Sequence, residues 1–286
     1  MKRTVLMGAG QIGTMAGRLL GGNYTPVCYA DNNPARHGAE LCGLPILSVA
    51  DSLRMNPDCV CLCVLDQERF HQMEHQLRNL GFNGEIISLD SLLTFDTRLA
   101  TMRLLAEQIE YDQVSGSVAE LGVYRGEFAK HINAAFPTRT LHLFDTFEGF
   151  SVKDIGVEQQ HSLSRAVAGD FSDTDITSVL SNMSYPERIQ CHKGYFPHTF
   201  PKVQNETFAF VSVDADLYAP TAAALPLFWE RLSPGGVIMV HDYNSTQFLG
   251  VKKAVREFCR KAGIYAMPVC DLHGSVVLMK QGGRQL

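Results

Sequence analysis

At 286 residues the chain exceeds what one small domain needs and suits two domains of roughly 100–170 residues each. A net charge of −5, with 19% charged residues and no local basic block, excludes a nucleic-acid binder, because phosphate contact needs a basic face. No apolar run approaches the roughly 20 residues that span a bilayer, and residues 2–8 read as a strand entering a glycine turn, so a cytoplasmic protein with no membrane partner is expected.

In chain order, residues 4–7 predict a strand that runs into Gly8-Ala9-Gly10-Gln11-Ile12-Gly13 and then a helix. Gly8, Gly10 and Gly13 fit GxGxxG, a turn that lets a phosphate approach a helix N-terminus. A strand near 26–30 ends at Asp31, where a carboxylate can hold a ribose diol. On this pattern alone the ligand would be NAD. Residues 1–95 are short for that role, and Asp31-Asn32-Asn33-Pro34 with Gly43-Leu44-Pro45-Ile46 is similar to small Rossmann-like domains beside sugar-modifying enzymes. Three readings stand for this half: a scaffold or oligomer contact, a nucleotide or nucleotide-sugar site, and a dinucleotide site. It carries no hydride-transfer residues.

Strands near 44–48, 59–65 and 85–89 and a helix near 68–80 continue the alternation, which predicts a parallel sheet. Cys59, Cys61 and Cys63 share one strand face at steps of about 7 Å. That spacing is too wide for three ligands of one tetrahedral zinc, so buried reduced thiols are expected. A helix from 96 to about 111 makes 96–114 a linker, and 115–286 a second domain.

The second domain starts as the first does. Ser117-Val118-Ala119-Glu120-Leu121 predicts a strand, and Gly122 and Gly126 let the backbone pass close to a ligand. Glu120 suits an amine. A strand near 140–144 ends at Asp145, placed for a ribose diol, although a lone Asp there also serves as a helix cap. Strands near 188–192, 208–213 and 237–240 follow, with helices near 222–232 and 251–262. The strand at 208–213 runs into Asp214 and Asp216, and the next into His241 and Asp242. Ligands bind beyond the carboxyl ends of parallel strands, so these acids should gather with Glu120 and Asp145. Such a cluster suits a divalent cation or a general base. Residues 148–185, long and polar, suit a lid. Residues 265–270 and 275–280 flank a turn at 271–274 and predict a hairpin. A parallel sheet closed by an antiparallel hairpin is similar to class I methyltransferases, so the fold class expected is α/β with two Rossmann-like domains.

The ordered set Phe144-Asp145-Thr146-Phe147-Glu148-Gly149-Phe150, Gly169-Asp170-Phe171-Ser172-Asp173-Thr174, residues 193–201 (KGYFPHTFP), Asp214-Ala215-Asp216-Leu217-Tyr218, Leu232-Ser233-Pro234-Gly235-Gly236 and His241-Asp242-Tyr243 resembles the TylF/macrocin O-methyltransferase family over about 115–282. The resemblance implies methyl transfer from S-adenosylmethionine to a hydroxyl of a small-molecule acceptor, often on a sugar. It implies that Glu120, Gly122 and Tyr124 line the methionine end, that Asp145 holds the ribose, and that Gly194, Tyr195 and Phe196 lie near the adenine. The family's metal-binding acids fall on Asp214, His241 and Asp242, with Asp214 as base. Family members that use magnesium carry Asp-Asp-Tyr where this chain has His241-Asp242-Tyr243. Magnesium prefers hard oxygen ligands. The histidine leaves three options: another metal, no metal with His241 as base, or an altered reaction. The rival readings are an oxidoreductase or nucleotide-sugar-binding protein driven by the first domain, and an inactive binding protein on the methyltransferase fold. The sequence leaves room for a homo-oligomer and specifies no acceptor.

Overall fold

The computed structural model describes residues 2–20, 24–89, 96–271 and 273–282. The expected boundary near 95, and Leu272 in the predicted hairpin turn, lie outside them. The chain forms two units, Met1–Asp96 with Cys270–His273, and Thr97–Val269 with Gly274–Leu286. Among the described residues no helix is long and apolar enough to cross a membrane.

In the first unit, β1 (Lys2–Met7), β2 (Tyr24–Ala30), β3 (Glu40–Leu41), β4 (Leu44–Leu47), β5 (Cys59–Leu62) and β6 (Glu85–Ser88) form one sheet in the order β3-β4-β2-β1-β5-β6. All pairs except β3–β4 are parallel. Period-two alternation divides its core. Leu6, Tyr29, Cys59 and Cys61 pack on one face, while Val5, Met7, Cys28, Val60 and Leu62 pack on the other. Cys59, Cys61 and Cys63 are buried free thiols, as their strand spacing suggested. Helix α1 (Gln11–Leu19) follows the glycine turn, and α2 (Val49–Leu53) and α3 (Gln67–Asn79) follow in turn.

The second unit carries β7 (Ser117–Leu121), β8 (Leu141–Asp145), β9 (Ile189–Lys193), β10 (Phe208–Val213), β11 (Leu232–Val240), β12 (Met267–Pro268) and β13 (Val276–Met279). Their order is β12-β13-β11-β10-β7-β8-β9. The pairs from β11 to β9 are parallel, and β13 joins β11 and β12 antiparallel, closing the sheet with the expected hairpin. Its helices are α4 (Thr97–Tyr111), α5 (Ala129–Ala135), α6 (Val152–Gln160), α7 (Ile176–Ser181), α8 (Tyr218–Arg231) and α9 (Leu249–Ala262).

Helix α8 begins four residues before the expected 222. Pro220 falls in its first turn, where its missing N–H costs nothing. The buried Glu158 of α6 accepts from the Tyr218 backbone N–H at 2.8 Å, capping α8 from a remote element. Helix α9 ends at Gly263 in the left-handed conformation, φ 67°, a common helix stop. The polar stretch after β8 is pinned. Gly169 N–H donates to the Phe150 carbonyl and Phe150 N–H to that of Asp170, while Asp173 takes Tyr124 Oη at 2.8 Å and pairs with Arg125.

Candidate functional site

The carboxyl ends of β7, β8, β10 and β11 carry the second unit's chemistry. Gly122, at φ 84°, ends β7, and a Cβ there would overlap the backbone carbonyl of Asp214. The turn therefore lies directly against the tip of β10. Its next two N–H groups, of Val123 and Tyr124, donate to Asp145 Oδ2 at 2.7 and 3.0 Å, and Phe147 N–H donates to Oδ1 at 2.7 Å. Asp145 thus fastens the glycine turn to the tip of β8. A carboxylate has acceptor sites beyond these three bonds. At Gly126 an added Cβ would meet the Val179 and Met183 side chains at 2.9 and 3.2 Å.

Glu120 is 1% exposed on β7. Its Oε1 accepts from Ser212 Oγ at 3.3 Å, and its Oε2 has no hydrogen-bond partner among the described residues. Leaving a buried polar atom unpaired costs about 1–3 kcal/mol. Burial pushes the Glu120 carboxyl up to about 8 against the pull of Arg98, with Asp214 adding to the rise.

Arg98, on α4, carries no motif and was not legible as a site residue. Its Nη2 lies 3.0 Å from Asp214 Oδ2 and 3.4 Å from Ser212 Oγ, and its guanidinium stacks 3.8 Å over the Phe128 ring. Its buried Nε has no partner among the described residues. On the other side of Asp214, Oδ1 lies 2.9 Å from His241 Nδ1, which is also 3.2 Å from Asp242 Oδ2. Asp214 therefore has a cationic partner on each oxygen. Burial raises it, but Arg98 and then His241 outweigh burial and hold it at about 2. Burial lowers His241, but Asp214 overrides that and raises it to about 10. Asp216 goes the other way. Burial first, then Asp214 and Asp242, push it well above the carboxylate range. Asp216 and Asp242 both sit at positive φ, 57° and 55°, a conformation sparsely populated by such residues.

The structure thus groups Asp214, Asp216, His241 and Asp242, the set expected at these strand ends, and adds Arg98. Carboxylate oxygens of Asp214, Asp216 and Asp242 lie within 4.8 Å of one another. Of the residues expected near the adenine, Phe196 is packed in the core against Phe144, Phe200 and Phe228, so its ring serves the wall. Tyr195 Oη donates to Asp154 at 2.8 Å beside Gly194, which has φ 137°.

An aromatic row crosses this edge. Tyr124 meets Phe171 at 5.2 Å, Phe171 meets Phe150 at 5.2 Å, and Phe150 meets Phe248 at 6.3 Å. Tyr124 follows β7 and Phe248 follows β11, and β10 lies between those two strands.

In the first unit, Gly13 has a packing cause: a Cβ would overlap the carbonyl of Gly8. Gly10 precedes α1 as its N-cap. Asp31 Oδ2 accepts from Ala9 N–H at 2.9 Å and pairs with Arg36 at 3.1 Å, while Oδ1 accepts from Asn33 N–H at 2.8 Å. Burial raises the Asp31 carboxyl, but these backbone donors and Arg36 bring it below its usual value.

The family model described as Macrocin-O-methyltransferase (TylF) matches residues 64–280, starting earlier than the 115 from which the resemblance reads. The chain is 29% identical over 179 residues to mycinamicin III 3''-O-methyltransferase of Micromonospora griseorubida, covering 58% of this chain and 69% of that protein. It is 25% identical over 196 residues to 8-demethyl-8-(2,3-dimethoxy-alpha-L-rhamnosyl)-tetracenomycin-C 4'-O-methyltransferase of Streptomyces olivaceus, covering 64% and 72%. The solved structure of the O-methyltransferase NovP shares the fold, with a TM-score of 0.52 at 22% identity, over 65% of this chain and 80% of that one.

Proposed function

The chain belongs to the macrocin O-methyltransferase (TylF) family and is an S-adenosylmethionine-dependent O-methyltransferase, and from that premise we propose that it methylates a sugar hydroxyl of a small molecule, with Asp214 receiving the proton. The observation that carries the site is the gathering of Asp214, Asp216, His241 and Asp242, with the Asp214 backbone directly against the Gly122 turn.

The cofactor supplies a methyl group on a sulfonium, a good leaving group. The residues present fit it. Glu120 Oε2 is a buried acceptor awaiting a donor, which suits the amine of the methionine end. Gly122, Tyr124 and Gly126 shape the turn beside it, Asp145 has acceptor capacity left for a ribose hydroxyl, and Gly194 and Tyr195 flank the next strand tip. What remains for the protein is to orient an acceptor oxygen and take its proton. A carboxylate held at about 2 is a weak base. It suffices here because the acceptor oxygen becomes strongly acidic as its new carbon bond forms. His241, raised to about 10, is already protonated at neutral pH. Its role in this reading is to orient Asp214 and balance its charge, not to act as base.

The sugar assignment comes from the relatives' names, which specify a 3''-hydroxyl and a rhamnosyl 4'-hydroxyl. The aromatic row supports it by offering an apolar wall along the edge where the acids lie. The test is a panel of nucleotide sugars, glycosides and non-sugar alcohols, read by mass for gain of one methyl. Methylation confined to non-sugar hydroxyls would overturn the sugar assignment.

A divalent cation is the second reading, favoured by the all-oxygen arrangement of Asp214, Asp216 and Asp242. Asp214 already has Arg98 and His241 on its two oxygens and Asp242 shares His241, so a cation would have to displace these partners. Turnover that a chelator abolishes and magnesium, manganese or zinc restores supports this reading. Turnover indifferent to all of them supports the ion pair alone. For the first unit we propose a scaffold role. Gly8 and Gly13 of its glycine turn have packing causes, and the Asp31 carboxylate is already paired with Arg36 at 3.1 Å. A thermal shift with NADH or a nucleotide sugar, abolished in D31A, would overturn that and restore the nucleotide reading.

A further inference from the structure

We infer that Arg98 and Glu120 together grip the amino-acid head of S-adenosylmethionine, the guanidinium binding its carboxylate and the Glu120 carboxylate its ammonium. This rests on the cofactor assignment above and names the residue that completes it.

Two buried polar atoms in this region have no hydrogen-bond partner among the described residues, and they are complementary. Glu120 Oε2 can only accept when ionised, and Arg98 Nε can only donate. Their side chains share one hydroxyl: Ser212 Oγ lies 3.3 Å from Glu120 Oε1 and 3.4 Å from Arg98 Nη2. A simple anion would satisfy Arg98 and leave Glu120 wanting, and a simple cation would do the reverse. A zwitterion, with ammonium and carboxylate on one carbon, supplies both.

The guanidinium is held in place for this. Its Nη2 is anchored on Asp214 at 3.0 Å, and its Cζ lies 3.8 Å from the centroid of the Phe128 ring, two residues beyond Gly126 of the cofactor turn. A planar, anchored guanidinium presents its remaining N–H edge at little entropic cost. The same residue therefore touches both reacting partners' sites. Nη2 fixes the proposed base, and the unpaired Nε–H is left for the methyl donor. Arg98 enters from α4, ahead of every motif of the second unit, which is why no motif contains it.

The test is calorimetric binding of S-adenosylhomocysteine and of its decarboxylated analogue, which keeps the amine. Wild type should bind the decarboxylated ligand about tenfold or more weakly. In R98M, S-adenosylhomocysteine should weaken by about the same factor while the decarboxylated ligand is unchanged, so the two ligands converge. E120Q should weaken S-adenosylhomocysteine but not its deaminated analogue. Equal weakening of S-adenosylhomocysteine and the decarboxylated ligand in R98M would overturn the proposal, leaving Arg98 as a support for Asp214 only. Equal affinity of wild type for the two ligands would overturn it too, and needs no variant to fold. Failure of wild type to bind S-adenosylhomocysteine at all would instead overturn the cofactor assignment.

Discussion

Asp214 and Asp216 stand two positions apart at one strand tip and are pushed in opposite directions. Asp214 is held at about 2 because Arg98 and His241 outweigh its burial, whereas Asp216 is raised by burial and by the acids it faces. Pairs pushed apart in this way mark acid–base assignments. D214N keeps the shape and removes the charge. Its turnover should fall by about 10²–10⁴-fold while S-adenosylhomocysteine affinity stays within about threefold. Steady-state rates beside calorimetry check this, and near-normal turnover would sink Asp214 as base or ligand. Glu120 makes a second prediction. Buried, and neutral below about 8 without ligand, it must ionise to hold an ammonium. Binding therefore releases a proton, and affinity for S-adenosylhomocysteine should rise between about pH 6 and pH 8, by up to about tenfold per pH unit. In E120Q the rise should disappear. A rise of equal slope in both proteins would place the titrating group elsewhere.

At the scale of elements, the two units solve one problem in the same way. The aspartate ending the second strand accepts backbone N–H groups of the first glycine turn and of its own following turn: Asp31 from Ala9 and Asn33, Asp145 from Val123, Tyr124 and Phe147. This bond pattern explains why a GxG-like turn and an acid about 22 residues later recur in one chain without requiring the same ligand. The turn's tolerance can be measured. G122A adds a Cβ that overlaps a backbone carbonyl and forces a side chain to φ 84°, so it should cost more than about 3 kcal/mol of unfolding free energy, seen in denaturant titration. Stability within about 1 kcal/mol of wild type would show that β10 can yield there. The aromatic row predicts differently. F171A should raise the acceptor KM several-fold with kcat and S-adenosylhomocysteine affinity little changed, the signature of lost uniform binding. A kcat loss alone would assign Phe171 to alignment. These elements were legible in part. The turns, Asp145 and the acids at 214–216 and 241–242 stand at strand ends marked by periodicity and glycine. Arg98 and the Glu158 cap were not legible, because each acts on a residue far along the chain from an unremarkable helix face.

Across the whole molecule, alternation of apolar runs with helical spacing made both sheets and the closing hairpin readable, since strand period and glycine placement are local signals. The starts of α8 and β11 were misjudged because a remote cap and sheet pairing, neither of them local, extend both elements. A buried histidine pair was unreadable for the same reason, and it sets a pH limit on the fold. His142 of β8 and His192 of β9 are both buried, with Nδ1 and Nε2 2.9 Å apart, and His192 stacks 4.5 Å from Phe144. His142 Nε2 has no partner among the described residues, so it is best left as the bare lone pair, with Nδ1–H donating to His192. Both rings are then neutral, and a further proton would put a charge in the core. Burial lowers His142, and burial together with His142 and Lys202 lowers His192 to about 4. Both folded values lie below the unfolded value of about 6.5. The pair's contribution is therefore fully present above that value and is lost as pH falls through the window toward about 4, by roughly 1–3 kcal/mol. Thermal midpoints between about pH 7 and pH 4.5 measure it. Other acid-sensitive groups lower the midpoint of every variant, so the comparison is with H142F/H192F, which keeps two flat rings and removes the titration. Wild type should lose several degrees more than the double variant over that window. Parallel profiles would show that the pair admits a proton without cost, and the acid limit would then belong to the carboxylates.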